Sequence, residues 1–152
     1  MDNIVHIYTD GACKNNPGPG GWACVLTYGA AERGLSGYKL HTTNNEMELT
    51  SLYQALLLLK KPSKIEIHAD SKYVVDSISK GWVFNWIKKG EILKRPNGEL
   101  WVATIQELSK HEYTLYWVKG HAGHKYNELC DKMAVQQRDI ADSIVKDTES
   151  IY

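Results

Sequence analysis

Four acidic residues, Asp10, Glu48, Asp70 and Asp131, stand where carboxylates are expensive or conspicuous. Asp10 and Asp70 each close an apolar, strand-like segment and precede a small residue, Gly11 or Ser71. Glu48 falls on a stripe with Leu52, Ala55, Leu56 and Leu59 at i, i+4, i+7, i+8 and i+11, which turns its carboxylate toward the core of a helix-bearing fold. Burying a charge there costs free energy unless something compensates it. Asp131 follows Asn127 by one helical turn and shares its face. Together they form an all-oxygen set with no thiolate and no required imidazole, which suits a hard divalent cation such as Mg²⁺ or Mn²⁺ and does not suit zinc. Carboxylates around two ions about 3.5 to 4 Å apart serve an in-line phosphoryl displacement by water, so phosphodiester hydrolysis is the expected chemistry. Singly, each acid has an ordinary explanation as a turn residue, salt-bridge partner, helix cap or solvated side chain. The combination would need four such explanations at once.

Other features qualify this picture. His121 and His124 flank a loop of small residues, where an imidazole can handle protons near a metal site. The run from Asn16 to Gly21 is glycine-rich but lacks Gly-Lys-Ser/Thr and leads into no helix, which argues against nucleoside triphosphate binding. Lys80, Lys88, Lys89, Lys94 and Arg95 interleave with Trp82, Phe84 and Trp86, a mixture that pairs phosphate attraction with stacking.

The elements that must position the acids follow from periodicity and punctuation. Asn3 to Thr9 reads as a strand stopping at Asp10-Gly11, Trp22 to Tyr28 as a second, and Leu35 to Thr42 as a third, with Gly29 to Gly34 as the turn. Thr43-Asn44-Asn45-Glu46 has capping-box spacing and predicts a helix to about Leu59, closed by Pro62. Lys64 to Ala69 alternates as a strand, and Asp70-Ser71 offers an N-cap for a helix to about Ser79. A short helix and loop follow, then a helix over Glu99 to Lys110, a strand over Tyr113 to Val118, and a last helix from about Tyr126 on which Leu129, Cys130 and Met133 can pack inward. The expected fold is α/β, a mixed five-stranded sheet with three antiparallel and then parallel strands, flanked by about five helices.

The 152 residues fit one domain. No apolar run approaches a membrane span and no basic-then-apolar leader opens the chain, so a cytoplasmic monomer is the default expectation. Three cysteines without a C-x-x-C pair argue for reduced thiols and against a disulfide framework or a structural zinc site. The 18 basic and 18 acidic residues cancel; four acids against Lys146 give the segment after Arg138 a net −3, leaving +3 on residues 1–138. The expected organisation is a catalytic domain over 1–138 and an acidic tail over 139–152 that ends the last helix and frays.

Taken together, Tyr8-Thr9-Asp10-Gly11-Ala12-Cys13, Asn16-Pro17-Gly18-Pro19-Gly20-Gly21, Thr42-Thr43-Asn44-Asn45-Glu46-Met47-Glu48-Leu49, Asp70-Ser71-Lys72-Tyr73-Val74, Trp117-Val118-Lys119-Gly120-His121-Ala122-Gly123-His124 and Asn127-Glu128-Leu129-Cys130-Asp131 closely resemble the motifs of type 1 ribonucleases H of the bacterial ribonuclease HI kind. The resemblance runs from about Val5 to Met133. It implies the ribonuclease H-like fold and endonucleolytic cleavage of the RNA strand of RNA-DNA hybrids, leaving 5′-phosphate and 3′-hydroxyl ends, as in removal of primers and R-loops. It also implies two Mg²⁺ ions on Asp10, Glu48, Asp70 and Asp131, with Mn²⁺ as a substitute and no obligate protein partner, and His121 assisting proton transfer or product departure. The contacts that tell RNA from DNA through the 2′-hydroxyl would fall to Cys13, Asn15, Asn16, Asn44 and Asn45, with Lys72 nearby. Thr43 and Asn85 match a DNA-phosphate pocket, and Trp82 with the following lysines matches a basic protrusion gripping the DNA strand.

Three departures concern grip more than chemistry. Lys72 stands where many relatives have glutamine, His41 where an arginine is frequent, and the segment between Trp86 and Trp101 is shorter and less basic. Two other readings fit the same residues: a catalytically silent hybrid-binding module, and an exonuclease or integrase-like enzyme with similar carboxylates.

Overall fold

A computed structural model describes residues 3–119 and 124–151. Five strands, β1 (Ile4–Cys13), β2 (Gly18–Tyr28), β3 (Ala31–Thr42), β4 (Lys64–Ala69) and β5 (Glu112–Trp117), form one sheet in the order β3-β2-β1-β4-β5. The first three pair antiparallel, and β4 and β5 join parallel to β1. Helices α1 (Asn44–Leu57), α2 (Lys72–Ser79), α3 (Trp82–Lys88), α4 (Gly98–Leu108) and α5 (Lys125–Ile151) complete the fold, with a 3-10 turn at Ile92–Lys94. The mixed sheet and its five helices are as the periodicity predicts.

The two faces of the sheet are covered differently. On one, Ile7, Leu26, Ile65 and Ile67 meet Leu49, Leu52 and Leu56 of α1, Val74 and Ile78 of α2, and Trp101 and Leu108 of α4. Each fully buried aliphatic side chain there contributes about 1.5 to 3 kcal/mol of transfer free energy. On the other face α5 lies along the antiparallel strands, where Cys130 and Ala134 pack on Ala23 and Val25. α5 needs small residues beneath it. A Cβ on Gly21 would stand 2.4 Å from the Ala134 carbonyl oxygen and 2.5 Å from the Arg138 amide nitrogen. Gly21→Ala should therefore lift α5 and cost about 1 to 3 kcal/mol, read as a lower denaturant midpoint at unchanged slope.

Several boundaries differ from the sequence reading. β1 does not stop at Asp10 but continues to Cys13, still paired with β2 through Cys13↔Gly20, while its parallel pairing with β4 ends at Thr9↔Ala69. The β2–β3 turn is two residues, Gly29 and Ala30, because Tyr28 already pairs with Ala31; Gly29 takes the positive φ of 58° such a tight hairpin requires. α1 ends at Leu57 with Leu58 as its C-cap, short of Leu59. Only half of the capping box forms. Thr43 accepts a hydrogen bond from the Glu46 amide at 3.1 Å, but the Glu46 carboxylate turns outward to Thr42 Oγ1 and to Lys39 Nζ, 2.6 Å away, where a full charge is available. Leu129 is 40% exposed, because α5 turns Cys130 and Ala134 to the sheet instead.

Candidate active site

The fork where β1 leaves β4 creates the site. Asp10 and Asp70 are the first residues past the last parallel pair, Thr9↔Ala69, so they stand side by side where β1 and β4 part, at the carboxyl end of β4. Open α/β sheets place ligands at such ends. Asp70 is held from both directions. Ser71, rather than Asp70, caps α2 by accepting from the Val74 amide at 3.2 Å, and the Trp117 indole N–H donates to the Asp70 carbonyl oxygen at 2.9 Å.

Glu48 enters from α1, which comes close enough only because residue 11 has no side chain: a Cβ on Gly11 would sit 2.5 Å from the Glu48 amide nitrogen. Ligand oxygens of Asp10, Glu48 and Asp70 lie within 4.8 Å of one another. Asp131 reaches Asp10 from α5, on the other side of the sheet, near enough to act on it by charge and hydrogen bonding. Asn127, fully buried one turn earlier, anchors that end of α5 by donating to the His68 carbonyl oxygen at 3.2 Å. Four elements of the fold, β1, α1, β4 and α5, thus deliver four carboxyl groups from widely separated parts of the chain.

Their electrostatics are those of a site suited to a positive charge. Asp10 is pushed up to about 8, first by burial and then by the charge of Asp70, with the Gly11 amide opposing and Asp131 adding. Glu48 is raised well above the usual carboxylate range, again by burial first and then by Asp10 and Asp70. Glu48 Oε2 is buried and receives no hydrogen bond from any described residue. An all-oxygen, mutually repelling cluster with such an atom fits a hard divalent cation.

The remaining expected site residues fall into two groups. Cys13, Asn15, Asn16, Thr43, Asn44 and Asn45 come together: the Cys13 thiol points at the Thr42 carbonyl oxygen, 3.3 Å away, and Asn16 Oδ1 accepts from the Asn44 amide at 2.9 Å, tying the β1–β2 loop to the start of α1. Asn15 holds a positive φ of 59° in that loop. Lys72, Trp82 and Asn85 lie on α2 and α3. Lys72 lays its ammonium over the Trp117 ring, 4.7 Å from its centroid, beside Asp70. Trp82 and Phe84 are 44% and 41% exposed, Lys80 lies over Trp82, and Arg95 covers Trp86. His121 lies outside the described residues.

Sequence reasoning passed over two supports of the site. The sequence marks Gly11 only as the small residue where the first strand stops, and its role of making room for α1 needs the packing of α1 on β1 to be seen. Asn127 was placed on the face of Asp131, but its bond to the His68 backbone depends on where α5 docks.

Carboxylates gathered where β1 and β4 part, with Asp10 and Glu48 buried, define a candidate site for a metal-dependent hydrolase. The family described as RNase H matches residues 2–139. The chain is 51% identical over 133 residues to a ribonuclease H of Rhizobium meliloti (strain 1021), covering 86% of this chain and 87% of that one. It is 46% identical over 150 residues to a ribonuclease H of Rickettsia akari (strain Hartford), covering 96% and 98%. Among solved structures, LC9-RNase H1, described as a type 1 RNase H with the type 2 active-site motif, superposes with a TM-score of 0.79 at 29% identity over 91% of this chain and 74% of its own. RNase H1 of Halobacterium salinarum NRC-1 does so with a TM-score of 0.66 at 26% identity, over 90% and 98%. The chain belongs to the ribonuclease H family.

Proposed function

We propose that this protein hydrolyses the RNA strand of RNA-DNA hybrids endonucleolytically, leaving 5′-phosphate and 3′-hydroxyl ends. The observation that carries this reading is the convergence of Asp10, Glu48 and Asp70 within 4.8 Å at the β1–β4 fork, in a chain of this family. Mg²⁺ is the cation proposed, as a pair of ions on Asp10, Glu48, Asp70 and Asp131, with Mn²⁺ as a substitute. Bound there, such ions would polarise the scissile phosphate and lower the pKa of the attacking water. The protein's part is placement. The β1 backbone and the Gly11 amide, 2.8 Å from Asp10 Oδ1, orient Asp10; the Ser71 cap and Trp117 orient Asp70; α1 holds Glu48 below the fork.

Substrate grip is assigned to the two groups flanking the carboxylates. Cys13, Asn15, Asn16, Asn44 and Asn45 offer short polar groups and backbone at the β1–β2 loop and α1 start, suited to reading 2′-hydroxyls on the RNA strand. Thr43 and Asn85, with Trp82 and the lysines of α3, take the DNA strand by phosphate and apolar contact, and Lys72 completes the grip near Asp70. His121 serves as the proton-handling residue. We assign the catalytic unit to residues 1–138 and treat 139–152 as an acidic extension, tied back by an Asp142–Lys14 ion pair of 2.9 Å. A monomer acting in the cytoplasm fits free thiols at Cys13, Cys24 and Cys130. No helix among the described residues is long and apolar enough to cross a membrane.

Incubation with strand-labelled hybrid, duplex DNA, duplex RNA and single-stranded RNA in Mg²⁺ tests the reading. Internal cuts confined to the RNA of the hybrid, abolished by EDTA and restored by added Mg²⁺, are expected. Binding without turnover in either Mg²⁺ or Mn²⁺ would instead identify a silent hybrid-binding module, and products released only from an end would identify an exonuclease.

A further inference from the structure

A second group of metal-ligating side chains lies on the sheet, away from the carboxylates. β1 and β4 run parallel with His6 opposite Glu66 and Tyr8 opposite His68. That register gathers His6, Glu66 and His68 on one face, although they are about 60 positions apart in the chain. His6 Nδ1 is 3.2 Å from His68 Nε2 and 3.4 Å from Glu66 Oε2, and one ligand atom of each lies within 4.8 Å of the other two.

These separations have a chemical meaning. Two ligands about 2.0 to 2.1 Å from a tetrahedral cation stand about 3.3 Å apart, and the spacings around His6 Nδ1 bracket that edge. The donor set, two imidazoles and one carboxylate, is borderline in softness and differs in kind from the all-oxygen cluster at the fork; it favours a late first-row divalent ion over Mg²⁺. The rings are already held in place. His68 stacks between Tyr8 and Tyr116, with centroids 4.8 and 5.4 Å away, and its ring lies nearly parallel to that of His6. α5 packs over the antiparallel strands of this face, which leaves the His6 and Glu66 side chains 25% and 24% exposed. An ion can reach them and keep a water as its fourth ligand.

We propose that His6, Glu66 and His68 form a binding site for one late first-row divalent cation, with Zn²⁺ as the probe ion, separate from the catalytic carboxylates.

Calorimetric titration of the full chain with Zn²⁺ in excess Mg²⁺, together with imidazole NMR, tests this. The wild type should bind one equivalent that shifts the His6 and His68 ring resonances. His6→Gln and Glu66→Gln should each weaken that equivalent by more than about tenfold, the loss of one ligand in three exceeding the 10- to 100-fold range known for outer-shell partners at its lower end. Asp10→Asn, which disables the carboxylate cluster, should retain it. Circular dichroism in EDTA confirms that each variant is folded, and the wild-type ring shifts serve as the readout for any that is not. No Zn²⁺ uptake, uptake that leaves both rings unshifted, or uptake lost in Asp10→Asn but intact in His6→Gln and Glu66→Gln would overturn the proposal.

Discussion

Asp10→Asn should lower the hybrid-cleavage rate by at least about a thousandfold. Asparagine keeps the shape but removes a charge proposed to help hold the cation, and losing about 4 kcal/mol of the several that metal assistance would supply corresponds to that factor. The same substitution has an opposite effect on the metal-free fold. Asp10 titrates near 8 in the folded protein against 3.8 when unperturbed, so the folded state holds a proton that the unfolded chain releases. A raised acid of this kind destabilises progressively as pH climbs from about 4 to about 8, with its full penalty above that window. Glu48, raised for the same reasons, adds to the trend. Thermal melts in EDTA at pH 5 and pH 8 should show the wild type losing more stability than Asp10→Asn between the two. Added Mg²⁺ should restore stability at pH 8 to the wild type and little to the variant. Parallel melting curves would mean the carboxylates do not repel one another as their burial implies.

Trp101→Ala should cost about 3 to 5 kcal/mol of stability. Trp101, on α4, is fully buried in the core with its ring tilted against Tyr73 of α2. Its indole N–H donates to the Tyr73 hydroxyl at 2.7 Å, and Asn97 donates to that hydroxyl at 3.3 Å. Truncation therefore opens a cavity and removes the shorter of the two hydrogen bonds to the half-buried Tyr73 hydroxyl. Against a total of about 5 to 15 kcal/mol for a typical domain, this brings the protein near its unfolding threshold at physiological temperature. Trp101→Phe keeps most of the volume and loses the hydrogen bond, so about 1 kcal/mol plus a small packing loss is expected. Urea titrations of the two variants separate the ring from the bond.

Glu48 was legible in the sequence because helical periodicity places it among Leu52, Ala55 and Leu56, all of which are fully buried. Asp70 was legible because the alternation of Ile65, Ile67 and Ala69 ends beside it. The continuation of β1 through Gly11, Ala12 and Cys13 was not, since small residues followed by Asn-Asn-Pro-Gly read as a turn. They are small for a tertiary reason: α1 packs against Gly11, and α5 crosses Gly21 on the partner strand. The turn of Glu46 toward Lys39 was equally hidden, because it depends on β3 ending beside the start of α1. His6, Glu66 and His68 carry no local signal at all; only the register of two parallel strands makes them neighbours.

The fork between β1 and β4 has a mechanical side. Asp10 travels with β2, to which β1 stays bonded for four residues past Thr9, whereas Asp70 travels with β5 and α2 through the Trp117 and Val118 contacts. The two carboxylates thus sit on separate jaws joined at the β1–β4 seam, with α5 bridging them through its bonds to Tyr8 and His68. A substitution that loosens this seam, however far it lies from any substrate, would alter the gape of the jaws before it altered the chemistry between them.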